Sequence, residues 1–125
     1  MPRAVSSIVS DATITVGAEN TNVRAITIQL KNGWGKNINF PAEVELVVLL
    51  DAAGADYVVT GGSTGIAIGA SGKLQQIIAK KRFVARSTAA GLIALTWTDT
   101  GTEAAYLGVI LPNGKQVISS ALTNA

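Results

Sequence analysis

The sequence contains no cysteine and no histidine, and these absences remove more chemistry than any motif in it supplies. Without cysteine there is no disulfide, no thiolate nucleophile and no zinc-thiolate site. Without histidine the usual general base, the Ser-His-Asp relay and the commonest metal ligand are missing. A reaction would have to run on carboxylates, Lys, Tyr or Ser/Thr, so the composition argues against an enzyme and calls for no cofactor. Charge is scarce too: charged residues make up 14% of the 125 residues, against 48% hydrophobic. A lone domain usually carries about a quarter charged residues. Part of the outside is therefore expected to be covered, by a partner or by further copies of the chain.

The net charge of +2 is too small to call for nucleic acid. No run approaches the ~18 apolar residues of a membrane span, and Met1 to Ser7 lack a continuous apolar core of signal-peptide length. The chain is expected to be made and used in soluble form, with no membrane partner. Its length suits one domain with a two-layer core that needs no covalent staple.

What is present is strand alternation broken by turn chemistry. Residues 1–22 read as an N-terminal arm and possible first strand, with Ile8, Ile14 and Val16 in one parity; residues 23–125 read as the folded domain. Ile26, Ile28 and Leu30 alternate with Thr27, Gln29 and Lys31, the pattern of a half-buried strand. Asn32 to Asn37 is loop chemistry. Trp34 at its tip is either a lid over one end of the core, the favoured reading, or an exposed contact for a partner. In the next strand Val44, Leu46, Val48 and Leu50 share one face, yet the other face carries Val47 and Leu49 beside Glu43 and Glu45. Such a face needs cover, from a neighbouring chain or from a loop.

Gly61 to Gly72 is the most glycine-rich stretch, and Gly72-Lys73 resembles the end of a phosphate-binding loop. The pattern fails, because Ala67 fills the first glycine position and Leu74 stands where Ser or Thr should bind magnesium. Leu74, Ile77, Ile78 and Lys81 have helical spacing, so that segment reads as one or two helical turns or the start of a strand. Lys80, Arg82 and Arg86 share a parity, which reads as a solvated, edge-protecting stripe. The C-terminal third, from Arg82 to Ala121, reads as two strand pairs joined at tight turns, the first at Thr88 to Gly91. The second turns at Pro112-Asn113-Gly114, where Asn-Gly is the strongest short signal for a type I′ hairpin. Trp97, in parity with Ile93 and Leu95, reads as a core plug.

About seven to nine short strands with close turn signals and no convincing long helix indicate an all-β fold, a β-sandwich, with a jelly roll as the alternative. Two chemical readings stay open. Glu43 and Glu45 lie on one strand face roughly 7 Å apart, a spacing glycosidases use. Asp51, Asp56 and Asp99 lie in or near turns and would hold calcium if the loops converged, although Asp is also an ordinary turn residue.

Particular residues resemble a known family. Ile28-Gln29-Leu30-Lys31-Asn32 with Gly35, then Val44-Glu45-Leu46, Asp51-Ala52-Ala53-Gly54 and the run from Phe83 to Thr96 resemble the bacterial immunoglobulin-like domains of invasin and intimin type. Tyr106 stands where that pattern has its tyrosine-bearing strand. The piece from Tyr106 to Lys115, with Ser119 or Ser120, resembles small virion proteins of tailed bacteriophages that carry such a domain. The resemblance implies an immunoglobulin-like β-sandwich serving as a non-enzymatic virion structural protein. The expected role is capsid decoration or cement, made in the host cytoplasm and bound as a homo-oligomer to the major capsid protein on the head surface. The alternative is an adhesion or carbohydrate-binding module of a head fibre or tail, with Trp34 and Tyr57 as stacking platforms. Expected interface residues are Trp34, Val47, Leu49, Tyr57 and Ile8.

Overall fold

The computed structural model describes residues 9, 11–49, 57–58, 65–69, 71–78, 80–101, 104–111 and 115–122. These form nine strands: β1 (Asp11–Val16), β2 (Val23–Lys31), β3 (Glu43–Leu49), β4 (Gly65–Ile68), β5 (Lys73–Ile78), β6 (Arg82–Arg86), β7 (Leu92–Thr98), β8 (Tyr106–Ile110) and β9 (Gln116–Ala121). Two antiparallel sheets, ordered β1-β2-β7-β4 and β5-β6-β3-β8-β9, pack face to face as a β-sandwich. This four-plus-five layering is that of an immunoglobulin variable-type domain. The chain path differs from that fold, since β4 comes before β5 and β6 rather than after them.

Strand alternation explains the core. Ile26, Ile28 and Leu30 of β2 face inward beside Ile93, Leu95 and Trp97 of β7, and all six are buried. Val44, Leu46 and Val48 of β3, Phe83 and Ala85 of β6, and Leu107 and Val109 of β8 form the opposing layer. Trp97 is fully buried, as its parity indicated. Its indole N–H has no acceptor among the described residues, so it contributes volume and apolar contact instead of a polar anchor.

Three sequence expectations meet the structure here. Of the two readings of the segment from Leu74, helical turns or the start of a strand, the strand forms: Lys73–Ile78 is β5, paired with β6, an edge strand exposed except at Leu74, which packs against the core. The segments on either side of Thr88 to Gly91 do not pair with each other: β6 lies in one sheet and β7 in the other. The loop carries the chain between layers, held by the Thr88 hydroxyl, which accepts from the Ala90 and Leu92 N–H groups. Gly91 has φ +78, and a Cβ there would stand 2.5 Å from Ile38 Cγ1, so no other residue fits without displacing the core.

The third concerns turns. β8 and β9 pair as expected, with Leu111 N–H bonded to Lys115 O, but Asn113 and Gly114 lie outside the described residues. A two-residue turn with both φ positive joins β1 to β2, at Thr21 (φ 52) and Asn22 (φ 68). Asn20 and Val23 exchange both backbone hydrogen bonds across it, the closed geometry of a type I′ hairpin.

Candidate functional site

Strand register fixes the two ends of the sandwich. β2 and β6 end where β3, β5 and β7 begin: Arg86 lies opposite both Glu43 and Lys73, and Gln29 opposite Leu92. Call this the loop end. Leu49, Arg82 and Trp97 mark the other. Trp34 belongs to the loop end and Tyr57, bridged to Leu49, to the opposite one. The two aromatics therefore cannot stack on one sugar chain as a shared platform.

Trp34 is 60% exposed, so it is no lid over the core. The buried position in its loop is taken by Asn32, which is 8% exposed. Its carboxamide oxygen accepts from the Trp34 N–H at 2.9 Å and from the Lys36 N–H at 3.2 Å. Its own backbone N–H donates to Lys36 O, and its carbonyl accepts from the Gly35 N–H. The Lys31 to Asn37 bridge closes the base. An exposed indole is thus carried on a hydrogen-bonded turn, which lowers the ordering cost of any contact it makes. Sequence reading located the loop but missed the role of Asn32, for which an Asn followed by Gly-Trp-Gly is the available signal.

Val47 and Leu49 are buried, 3% and 5% exposed, so as interface residues they are corrected: the chain covers them itself. The reason is Gly108 of β8, directly opposite Val47. A Cβ at Gly108 would meet Leu49 Cδ1, Val47 Cγ2 and Gln116 Nε2 at 2.9 Å each. The missing side chain leaves a notch into which the two aliphatic side chains settle. Tyr57 is half-buried, and its hydroxyl accepts from Arg82 Nη1 at 3.2 Å. Arg82 also forms an ion pair with Glu45. The Tyr57 hydrogen bond first, then the Glu45 charge, push the Arg82 pKa up. Ile8 lies outside the described residues.

The carboxylate pair does not face a cleft. Glu45 is taken up by Arg82, and Glu43 stands opposite Arg86. Beside Glu43 is a shallow depression of about 250 Å³, lined also by Lys73, Leu74, Gln75, Val84 and Arg86. The basic stripe is only partly a stripe. Arg82 and Arg86 share the outer face of β6, while Lys80 occupies the β5–β6 turn with φ 62. As for metal, Asp51 and Asp56 lie outside the described residues, and the Asp99 carboxylate accepts from the Gly101 N–H. Among the described residues no three metal-ligating side chains come together.

Four large apolar side chains are exposed among the described residues: Trp34, Ile68, Ile77 and Ile78. Trp34 stands alone at the loop end, whereas the isoleucines lie on β4 and β5, the edge strands of one flank. The opposite flank is closed by packing of β1 on β9 and by an ion pair from Lys115 Nζ to Asp11 Oδ1 at 3.2 Å. The chain matches no protein-family model, no curated protein and no solved structure.

Proposed function

We propose that this protein is a non-enzymatic virion structural protein, a decoration or cement protein that binds the major capsid protein on a tailed-phage head and reinforces it. One observation carries the reading: the exposed apolar side chains fall in two separate places, Trp34 on the loop end and Ile68, Ile77 and Ile78 on the β4–β5 flank. Reinforcement needs a rigid body that touches more than one neighbour, and a sandwich with two separated contact patches meets that need. Supporting it are the absence of histidine and cysteine from the sequence and the phage-protein resemblance of the C-terminal strands. The separation of Trp34 from Tyr57 weighs against the sugar-binding alternative.

The test is co-sedimentation of the purified chain with assembled heads, together with the heat resistance of heads with and without it. Saturable binding and a higher temperature of head disruption are expected. A protein that stays in the supernatant at every concentration refutes the proposal, and a signal on a glycan array would favour the adhesion alternative.

A further inference from the structure

The charges of the described residues are not spread evenly. At the loop end stand five cations: Lys31 closes β2, Lys36 follows Trp34, Lys73 opens β5, Arg86 closes β6, and Lys115 precedes β9. Against them are two carboxylates, Asp11 at the start of β1 and Glu43 at the start of β3. Five minus two leaves +3 at this end; the other described charges, Arg24, Lys80, Lys81 and Arg82 against Glu19, Glu45 and Asp99, are four minus three and leave +1. Asp11 and Lys115 neutralise each other, so the excess lies with Lys31, Lys36, Lys73 and Arg86 opposite one glutamate. The one exposed aromatic among the described residues, Trp34, stands at this same end, flanked along the chain by Lys31 and Lys36.

We infer that the Trp34 end is a docking surface for an acidic protein surface that offers an apolar pocket to the indole. Tryptophan is the residue type most often found to anchor an interface, and here it sits on a turn already held by Asn32. Cations at the same end as such an anchor, Lys31 and Lys36 beside it in the chain, steer an acidic partner, at ranges cut off by salt beyond about 8–10 Å. A nucleic-acid strand fits less well. Stacking on successive bases needs several aromatics interleaved with the cations, whereas Trp34 is single. The inference rests on the capsid reading only for the identity of the partner, not for its chemistry.

Two experiments separate the inference from that reading. In the first, two-dimensional NMR of the full chain is followed during titration with polyglutamate at low salt. Shifts of the Trp34 indole and of the Lys31 and Lys36 amides, reversed by added salt, are expected. Shifts confined to the opposite end, or none, overturn the docking surface. So does Trp34-dependent binding of oligothymidine or of anionic lipid vesicles in the absence of a polyglutamate response.

In the second, binding to assembled heads is compared for the native chain, Trp34→Ala and Lys36→Glu, both changes lying at exposed loop positions that leave Asn32 in place. Losses of about 30-fold or more for Trp34→Ala and about tenfold for Lys36→Glu are expected. Equal binding by all three overturns the docking surface and leaves the capsid reading standing. No binding of the native chain to heads, with the polyglutamate shifts present, removes the capsid reading and leaves the docking surface.

Discussion

The two flanks of the sandwich are finished in different ways. On one, β1 lies against β9 across the layers and the Asp11–Lys115 pair spans the seam. On the other, β4 has four residues and β5 is exposed along nearly its whole length, with Ile77 at 55%. An edge strand presents unpaired backbone groups, and proteins usually blunt it with charge, proline or a bulge. β5 has a register shift between Gln76 and Ile78 and a lysine at its start, but no charge from Leu74 to Ile78. One flank is therefore closed by the chain's own contacts, while the other is only partly protected. Scarcity of charge over the whole sequence is thus not diffuse, because a local part of it lies along this edge.

The largest expected effect tests how the apolar outer face is closed. Gly108→Val should drive Val47 and Leu49 out of their notch and destabilise the fold by about 1–3 kcal/mol, the range for overpacking. A urea denaturation midpoint unchanged from the native chain would show that the notch is not what buries them. Smaller and opposite in sign is Thr21→Asn, in the hairpin that leads β1 to the closed flank. A β-branched residue at positive φ is strained, and Asn accepts that conformation. A gain of about 0.5–1 kcal/mol is expected in thermal unfolding, and a loss would mean that the Thr21 side chain carries a compensating contact.

For the open flank, Ile77→Lys with Ile78→Lys should move stability by less than about 0.5 kcal/mol, as exposed sites do. It should nevertheless abolish any concentration-dependent association seen by analytical ultracentrifugation. Association that persists unchanged would place it elsewhere on the molecule.

The smallest effect belongs to the Asp11 seam. The Ala12 N–H first, and then Lys115, hold the Asp11 carboxyl below its ordinary value. A lowered folded-state pKa means that its contribution is present above the unfolded value near 3.8 and is lost as pH falls through the folded one. Asp11→Asn should therefore flatten the acid limb of a stability-against-pH curve and leave its shape near neutrality unchanged. A curve identical to the native one throughout would show that the seam ion pair adds nothing.

How much of this was legible in the sequence depends on whether a residue's position follows from its own strand or from a neighbour. The β-sandwich, the core faces of β2 and β7 and the burial of Trp97 followed from period-two alternation, which needs no partner. Val47 and Leu49 could not be placed, because their cover depends on a glycine 61 and 59 residues away brought alongside by strand pairing. The type I′ turn at Thr21-Asn22 reads in the sequence only as the end of the N-terminal arm, since Thr is a poor indicator of positive φ. The sequence leaves Trp34 between a lid over the core, the favoured reading, and an exposed contact; it is exposed because the short polar Asn32 takes the inside position by satisfying two backbone N–H groups at once. The charge asymmetry of the loop end was invisible for a related reason: its five cations come from four separate stretches of the chain and reach one end only through the fold.

The two tryptophans, one fully enclosed and one 60% exposed, give the molecule a pair of optical reporters that do not overlap in meaning. The emission of Trp97 should lie to the blue in the native state and move red only when the sheets separate. Trp34 should emit to the red already and shift blue only when something covers it. A single fluorescence trace, resolved with each tryptophan replaced in turn by phenylalanine, can therefore tell unfolding from docking in the same sample.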